Sequence, residues 1–161
     1  MGMKTNSGTP LFLVLILSSC ATTPRAPSEA VEPTASGVGT LVVQIAGLRS
    51  AAGQASVSLF AGAEGFPQDT TAVVKSAMVQ LTHGEELAVR FENVGYGDYA
   101  IAVLHDENGN GVMDTGFLGI PSEGFGFSNN PRPGFGAPSF ETCKFRLDQP
   151  DVTLRLEMRY F

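Results

Sequence analysis

The last eleven residues of the chain, DVTLRLEMRYF, alternate without a slip. Val152, Leu154, Leu156, Met158 and Tyr160 fall on one side of an extended backbone, and Thr153, Arg155, Glu157 and Arg159 on the other. Successive side chains of a strand point to opposite faces, so a period of two specifies a sheet with one dry and one wet face, and no helix gathers these residues into a stripe.

Shorter runs repeat the theme. TLVVQIAG from Thr40, QASVSLF from Gln54, AMVQLT, ELAVRF and DYAIAVLHD are each bounded by glycine or polar residues. In QASVSLF, Ala55, Val57 and Leu59 oppose Gln54, Ser56 and Ser58. The tight HGEE segment between AMVQLT and ELAVRF predicts a hairpin. DYAIAVLHD is apolar on both faces and predicts a central strand with neighbours on each side. FETCKFRL places Cys143, Phe145 and Leu147 on one inward face, which makes Cys143 a small buried hydrophobe. With 19 glycines and only 16% charged residues, strands joined by glycine-rich loops are favoured over a helical bundle. The expected fold is an all-β Greek-key sandwich of about seven strands over residues 40–161, with one long glycine-rich loop. A membrane barrel ending in Phe161 is the competing architecture, but the strands are short and few for it.

The N-terminus reads as an address. Lys4 precedes an apolar block, Leu11 to Leu17, too short to span a bilayer and suited to a secretory leader at 1–19. It ends Leu17-Ser18-Ser19-Cys20, which resembles the lipobox of bacterial lipoproteins; that resemblance implies acylation of Cys20 and cleavage before it. Ala21 in place of an aspartate implies, by the same resemblance, the outer membrane, facing the periplasm or the cell surface. Residues 20–39 are rich in Pro, Ser, Thr and Ala and poor in large apolar side chains, the composition of a flexible linker. Cleavage removes Lys4 and no acid, taking the net charge from −6 to −7. Without a basic stripe there is no footprint for nucleic acid, and lipid rather than charge is the expected hold on a membrane.

HDENGNGVMDTGFLGIP, His105 to Pro121, carries the only pattern with chemistry in it. Counting Asp106 as position one, Asn108 is third, Asn110 fifth, Gly111 sixth, Val112 seventh and Asp114 ninth, the D-x-N-x-N-G order of a calcium loop. The twelfth place, where a bidentate glutamate normally closes the shell, is Phe117. Calcium is therefore a candidate cofactor in the loose class, roughly 10⁻⁴ to 10⁻³ M, with Glu107, Glu123 or water completing the shell. The same residues also make metal-free Asx-turns.

From His105 to Ser139 strand signals are few, and a long loop in a small domain is often functional. Phe117, Phe125, Phe127 and Phe135, with Asn129, Asn130 and Arg132 as polar contacts, are candidates for a ligand groove, or for rings that pin the loop to the sandwich. Catalytic material is thin. His105 with Asp114 or Glu123 is the one acid–base pairing a periplasmic hydrolase would have, and no G-x-S-x-G or H-E-x-x-H pattern occurs.

The segments GLRSAAGQASVSLF, EGFP, YAIAVLHDENGNGVMDTGFLGIPSEGFGFSNN and FGAPSFE resemble the bacterial exported family known as domain of unknown function 2141, from Leu41 to Tyr160. The resemblance implies a periplasmic or surface sandwich of transthyretin-like (prealbumin-like) or carboxypeptidase-regulatory-like type, an immunoglobulin-like architecture, and supplies no activity. The middle block is also similar, more distantly, to calcium-binding repeats of Gram-positive surface adhesins, from which Phe117 departs. The expected function is a non-catalytic envelope lipoprotein module that binds an unidentified protein or small molecule; a purely structural envelope protein is the alternative.

Overall fold

A computed structural model describes residues 1–2 and 37–161 apart from 83, 85, 133 and 135. The leader, Cys20, the linker up to residue 36, His83 and Glu85 of the expected turn, and Phe135 lie outside the described residues. Among the described residues all strands belong to one unit, Pro33–Phe161. They are β1 (Val38–Ala46), β2 (Gln54–Phe60), β3 (Val73–Gln80), β4 (Glu86–Gly95), β5 (Gly97–Asp106), β6 (Gly124–Phe127), β7 (Phe145–Leu147) and β8 (Asp151–Glu157), with a one-turn helix α1 at Phe140–Cys143.

Two sheets enclose one core. The first has the order β4-β1-β8, with β1 antiparallel to β4 and parallel to β8. The second has the order β3-β2-β5-β6, and β7 also pairs with β5. The inward residues Leu41, Val43 and Ile45 of β1 meet Val57 and Leu59 of β2 and Ile101 and Val103 of β5, with Val89, Phe91, Leu147 and Leu156 completing the cluster. Each large side chain taken from water this way contributes about 1.5–3 kcal/mol. Apolar residues fill the interior and the outer face of β8 is charged, the reverse of a membrane barrel. Among the described residues no helix is long and apolar enough to cross a membrane.

β5 is central, as its two apolar faces predict. Ile101 and Val103 face the core, while Ala100 packs on the other side of the sheet with Phe60, Phe140 and Cys143. Phe66 closes this second cluster edge-on, its ring 5.2 Å from Phe60 and 5.9 Å from Phe140. The outer edge of β5 is shared: β6 pairs with Ala102–His105 and β7 with Gly97–Tyr99. Ser128 bridges between them. Its hydroxyl accepts from Ile101 N at 2.9 Å and donates to the Cys143 carbonyl at 2.6 Å.

Three expectations are corrected. AMVQLT and ELAVRF do not form a hairpin: β3 pairs with β2 in one sheet and β4 with β1 in the other. Alternation tells which residues face the core, and both strands do so from opposite sides. Cys143 is buried, but on α1 rather than on a strand; Ser139 caps that turn by accepting from Thr142 N. The stretch from His105 to Ser139 is not without strands, since β6 lies inside it. The first strand begins at Val38.

Candidate functional site

The polar residues gather where β1 and β5 end and β6 begins. Asp106, the last residue of β5, is fully buried. Its Oδ1 accepts from Gly109 N at 2.8 Å and Asn110 N at 3.0 Å, and its Oδ2 from Gly111 N and Gln54 Nε2, both at 2.8 Å. A carboxylate only accepts, so Gln54 must turn its amino group toward it; its Oε1 is then free to accept from Gln80 Nε2 at 2.8 Å. The row Gln80, Gln54, Asp106 is a polar ladder across three paired strands. Burial pushes the Asp106 carboxyl up, but the bonds from Gln54, Gly111, Asn110 and Gly109 outweigh it and hold the group below the usual carboxylate range.

Two Asx-turns continue the loop. Asn108 Oδ1 accepts from Asn110 N at 3.0 Å and Asn110 Oδ1 from Val112 N at 2.9 Å. Gly109 and Gly111 take positive φ, 75° and 81°, the conformations these turns require. The amino groups of Asn108 and Asn110 both donate to the Asp114 carboxylate, at 2.5 Å and 3.1–3.2 Å. Glu123, only 4% exposed, accepts from Glu107 N at 2.9 Å and Asp114 N at 3.1 Å, so one side chain ties the beginning of the loop to its far side.

A second network supports this pole from below. His105 is fully buried, with Nε2 2.9 Å from the Ala52 carbonyl and Nδ1 2.7 Å from the Tyr160 hydroxyl. The carbonyl cannot donate, so Nε2 carries a hydrogen, and in the neutral ring Nδ1 accepts from Tyr160. Tyr160 also accepts from Arg49 N, and the Arg49 guanidinium sits 4.5 Å over its ring. Burial pushes the Tyr160 hydroxyl up. Arg49 pairs with Glu107, whose carboxyl it holds below the ordinary range, and donates to the Ser122 carbonyl at 3.0 Å. Among the described residues, every buried side-chain nitrogen or oxygen has a hydrogen-bond partner.

The five candidate calcium positions Asp106, Asn108, Asn110, Val112 and Asp114 therefore share one loop. As donors they suit a hard cation: two carboxylates, two amide oxygens and a carbonyl. In this conformation Asn108 and Asn110 present amino groups, not oxygens, to Asp114. Among the described residues no three His, Cys, Asp or Glu side chains gather to hold a metal.

The structure places the expected groove residues on β6 and on the segment that follows it. Phe125 and Phe127 lie on β6, packed at 5.9 Å from each other, with Phe125 5.6 Å from Phe161 and Phe127 6.0 Å from Phe66. Asn129 donates to the Thr142 and Lys144 carbonyls, closing the end of α1. Asn130 donates to Arg155 O and accepts from Glu157 N, pinning the loop to β8. Both asparagines take positive φ, which suits their residue type. Arg132 is exposed. Sequence reasoning missed Arg49 and Gln54. Gln54 sits on the face of β2 that alternation assigns to water, and nothing local marks it as buried.

The family model described as an uncharacterised protein conserved in bacteria (DUF2141) matches residues 43–155. No curated protein and no solved structure matches the chain.

Proposed function

The chain belongs to the DUF2141 family of bacterial proteins, and on that premise we propose that it is an exported, non-catalytic binding module whose working end is the loop 106–123. The carrying observation is that two buried carboxylates, Asp106 and Glu123, order this exposed loop from beneath. A preformed loop loses little conformational entropy when it binds, which is the advantage of building one. Two sheets around one core favour the immunoglobulin-like or transthyretin-like sandwich reading. LSSC before residue 21 favours acylation of Cys20, an anchor in the outer membrane and a linker leading to the first strand. His105 has both ring nitrogens engaged and no exposed surface, which supports binding over hydrolysis. A photo-crosslinking residue placed at Val112 should capture adducts in the envelope, and one placed at Thr153 on the outer face of β8 should not. Equal yields from both positions, or none from either, contradict the reading.

The Asp106 carboxylate accepting from the loop's N–H groups and the two Asx-turns at Asn108 and Asn110, in the order of a D-x-N-x-N-G loop, favour calcium as an additional ligand. Asp106, Asn108, Asn110, Asp114 and the Val112 carbonyl would hold it, and the ion would supply a fixed charge and added rigidity. Titration calorimetry should give a dissociation constant of roughly 10⁻⁴ to 10⁻³ M, lost in Asp114→Ala. Absence of heat and of any rise in melting temperature removes the metal.

A further inference from the structure

We infer that the tip of this loop, Thr115–Pro121, inserts into the interfacial layer of a lipid bilayer. Phe117 is 87% exposed, Leu118 80% and Ile120 48%, and Val112 beside them 59%. The tip sequence TGFLGIP contains no charge. Leu118 has φ 63°, the left-handed region that favours glycine, and gains no packing in return. A large apolar side chain held in an unfavourable backbone state and turned to solvent is poorly explained by folding.

Lipid favours main-chain polar groups that are already paired. Gly116 N donates to Ile120 O at 2.7 Å, Gly119 N to Gly116 O at 3.2 Å and Ser122 N to Asp114 O at 2.9 Å, and Thr115 bridges Pro121. These bonds fold the tip back on itself into a small knob. Three side chains fall short of the roughly 800 Å² per partner of a stable protein interface, whereas a bilayer asks for no matching shape. The chain is acidic, and at the base of the knob Arg49 is already paired with Glu107 and joined by the carboxylates of Asp114 and Glu123. Apolar insertion rather than headgroup charge must therefore carry the contact.

The inference rests on the acylated-linker reading only for what keeps the domain near a membrane. A fully extended chain of the length from Cys20 to Gly37 would span at most roughly 60 Å, more than the roughly 30 Å that the nine residues of β1 cover, so length alone does not keep the knob from the bilayer that holds the anchor.

The chain contains no tryptophan, so Phe117→Trp is a clean reporter. Full-length protein purified from membranes is reconstituted in phosphatidylcholine vesicles. The expected results are a blue shift of emission and quenching by acyl-brominated lipid several-fold stronger than for Thr153→Trp, with no gain when phosphatidylglycerol is added. Adding Leu118→Gly and Ile120→Ser to the reporter should abolish shift and quenching, and glycine at 118 relieves the positive φ, so the fold is retained. Unchanged emission on vesicles from a normally folded protein overturns the inference. So does a blue shift that appears without lipid and grows with protein concentration, which would place a second copy on the knob. Incorporation of labelled fatty acid into wild type but not Cys20→Ser is scored separately, so failure of the anchor and failure of the knob are told apart.

Discussion

The Asp106 carboxylate receives the main-chain N–H groups of Gly109, Asn110 and Gly111 and, from the neighbouring strand, the amide of Gln54. One side chain thus joins the end of the central strand, the polar ladder across sheet two and the first turn of the exposed loop. Most of the behaviour expected of the molecule follows from that junction and from its companion, Glu123.

Replacing Glu123 by Gln turns an amino group toward one of two main-chain donors, Glu107 N or Asp114 N. An unpaired buried donor costs about 1–3 kcal/mol. Urea unfolding should show a loss of that size with an unchanged m-value, because the core is untouched.

The acid response has a definite sign. The folded Asp106 carboxyl lies below its ordinary value, so its contribution is complete above the unfolded value of about 3.9 and is lost as pH falls through the folded value. Glu107, lowered by Arg49, acts in the same direction. Melting temperatures of wild type and Asp106→Asn should differ by a constant amount from pH 5 to 7 and converge below about pH 4. A gap that widens in acid would mean that the carboxyl is raised instead.

Gly124 and Gly126 of β6 lie under the chain's tail. A Cβ on Gly124 would run into the Tyr160 ring, whereas one on Gly126 would meet the Met158 sulfur at 3.2 Å. The ring is held by His105 and the thioether is adaptable. Gly124→Ala should therefore cost about 1–3 kcal/mol and Gly126→Ala distinctly less, measured by thermal unfolding.

Burial pushes the Cys143 thiol up to about 11. In a Cys20→Ser background it should resist Ellman's reagent at pH 8 in the native state and react fully in urea. The thiolate is the reactive form, and this site withholds both thiolate and access.

The same residues explain what was legible beforehand. The alternation of β8 and the two-faced apolar character of β5 are local and survived folding, and the D-x-N-x-N-G order placed the loop at Asp106. The partition of β3 and β4 between sheets is a long-range choice that period alone does not encode. β6 was hidden because its alternate residues are glycines, chosen for the tail that crosses them, so the strand lacks the branched residues that mark one. Gln54 and Arg49 became part of the site only when Asp106 and Glu107 were brought beside them from more than fifty residues away.

Hydrogen exchange at Gly109, Asn110 and Gly111, measured in chelator on the wild type, is the most direct examination of a loop ordered by its own carboxylates. Protection well above free-peptide rates, lost at these three amides in Asp106→Asn while β2 and β5 stay protected, is the predicted result. Exchange at free-peptide rates in the wild type would contradict it.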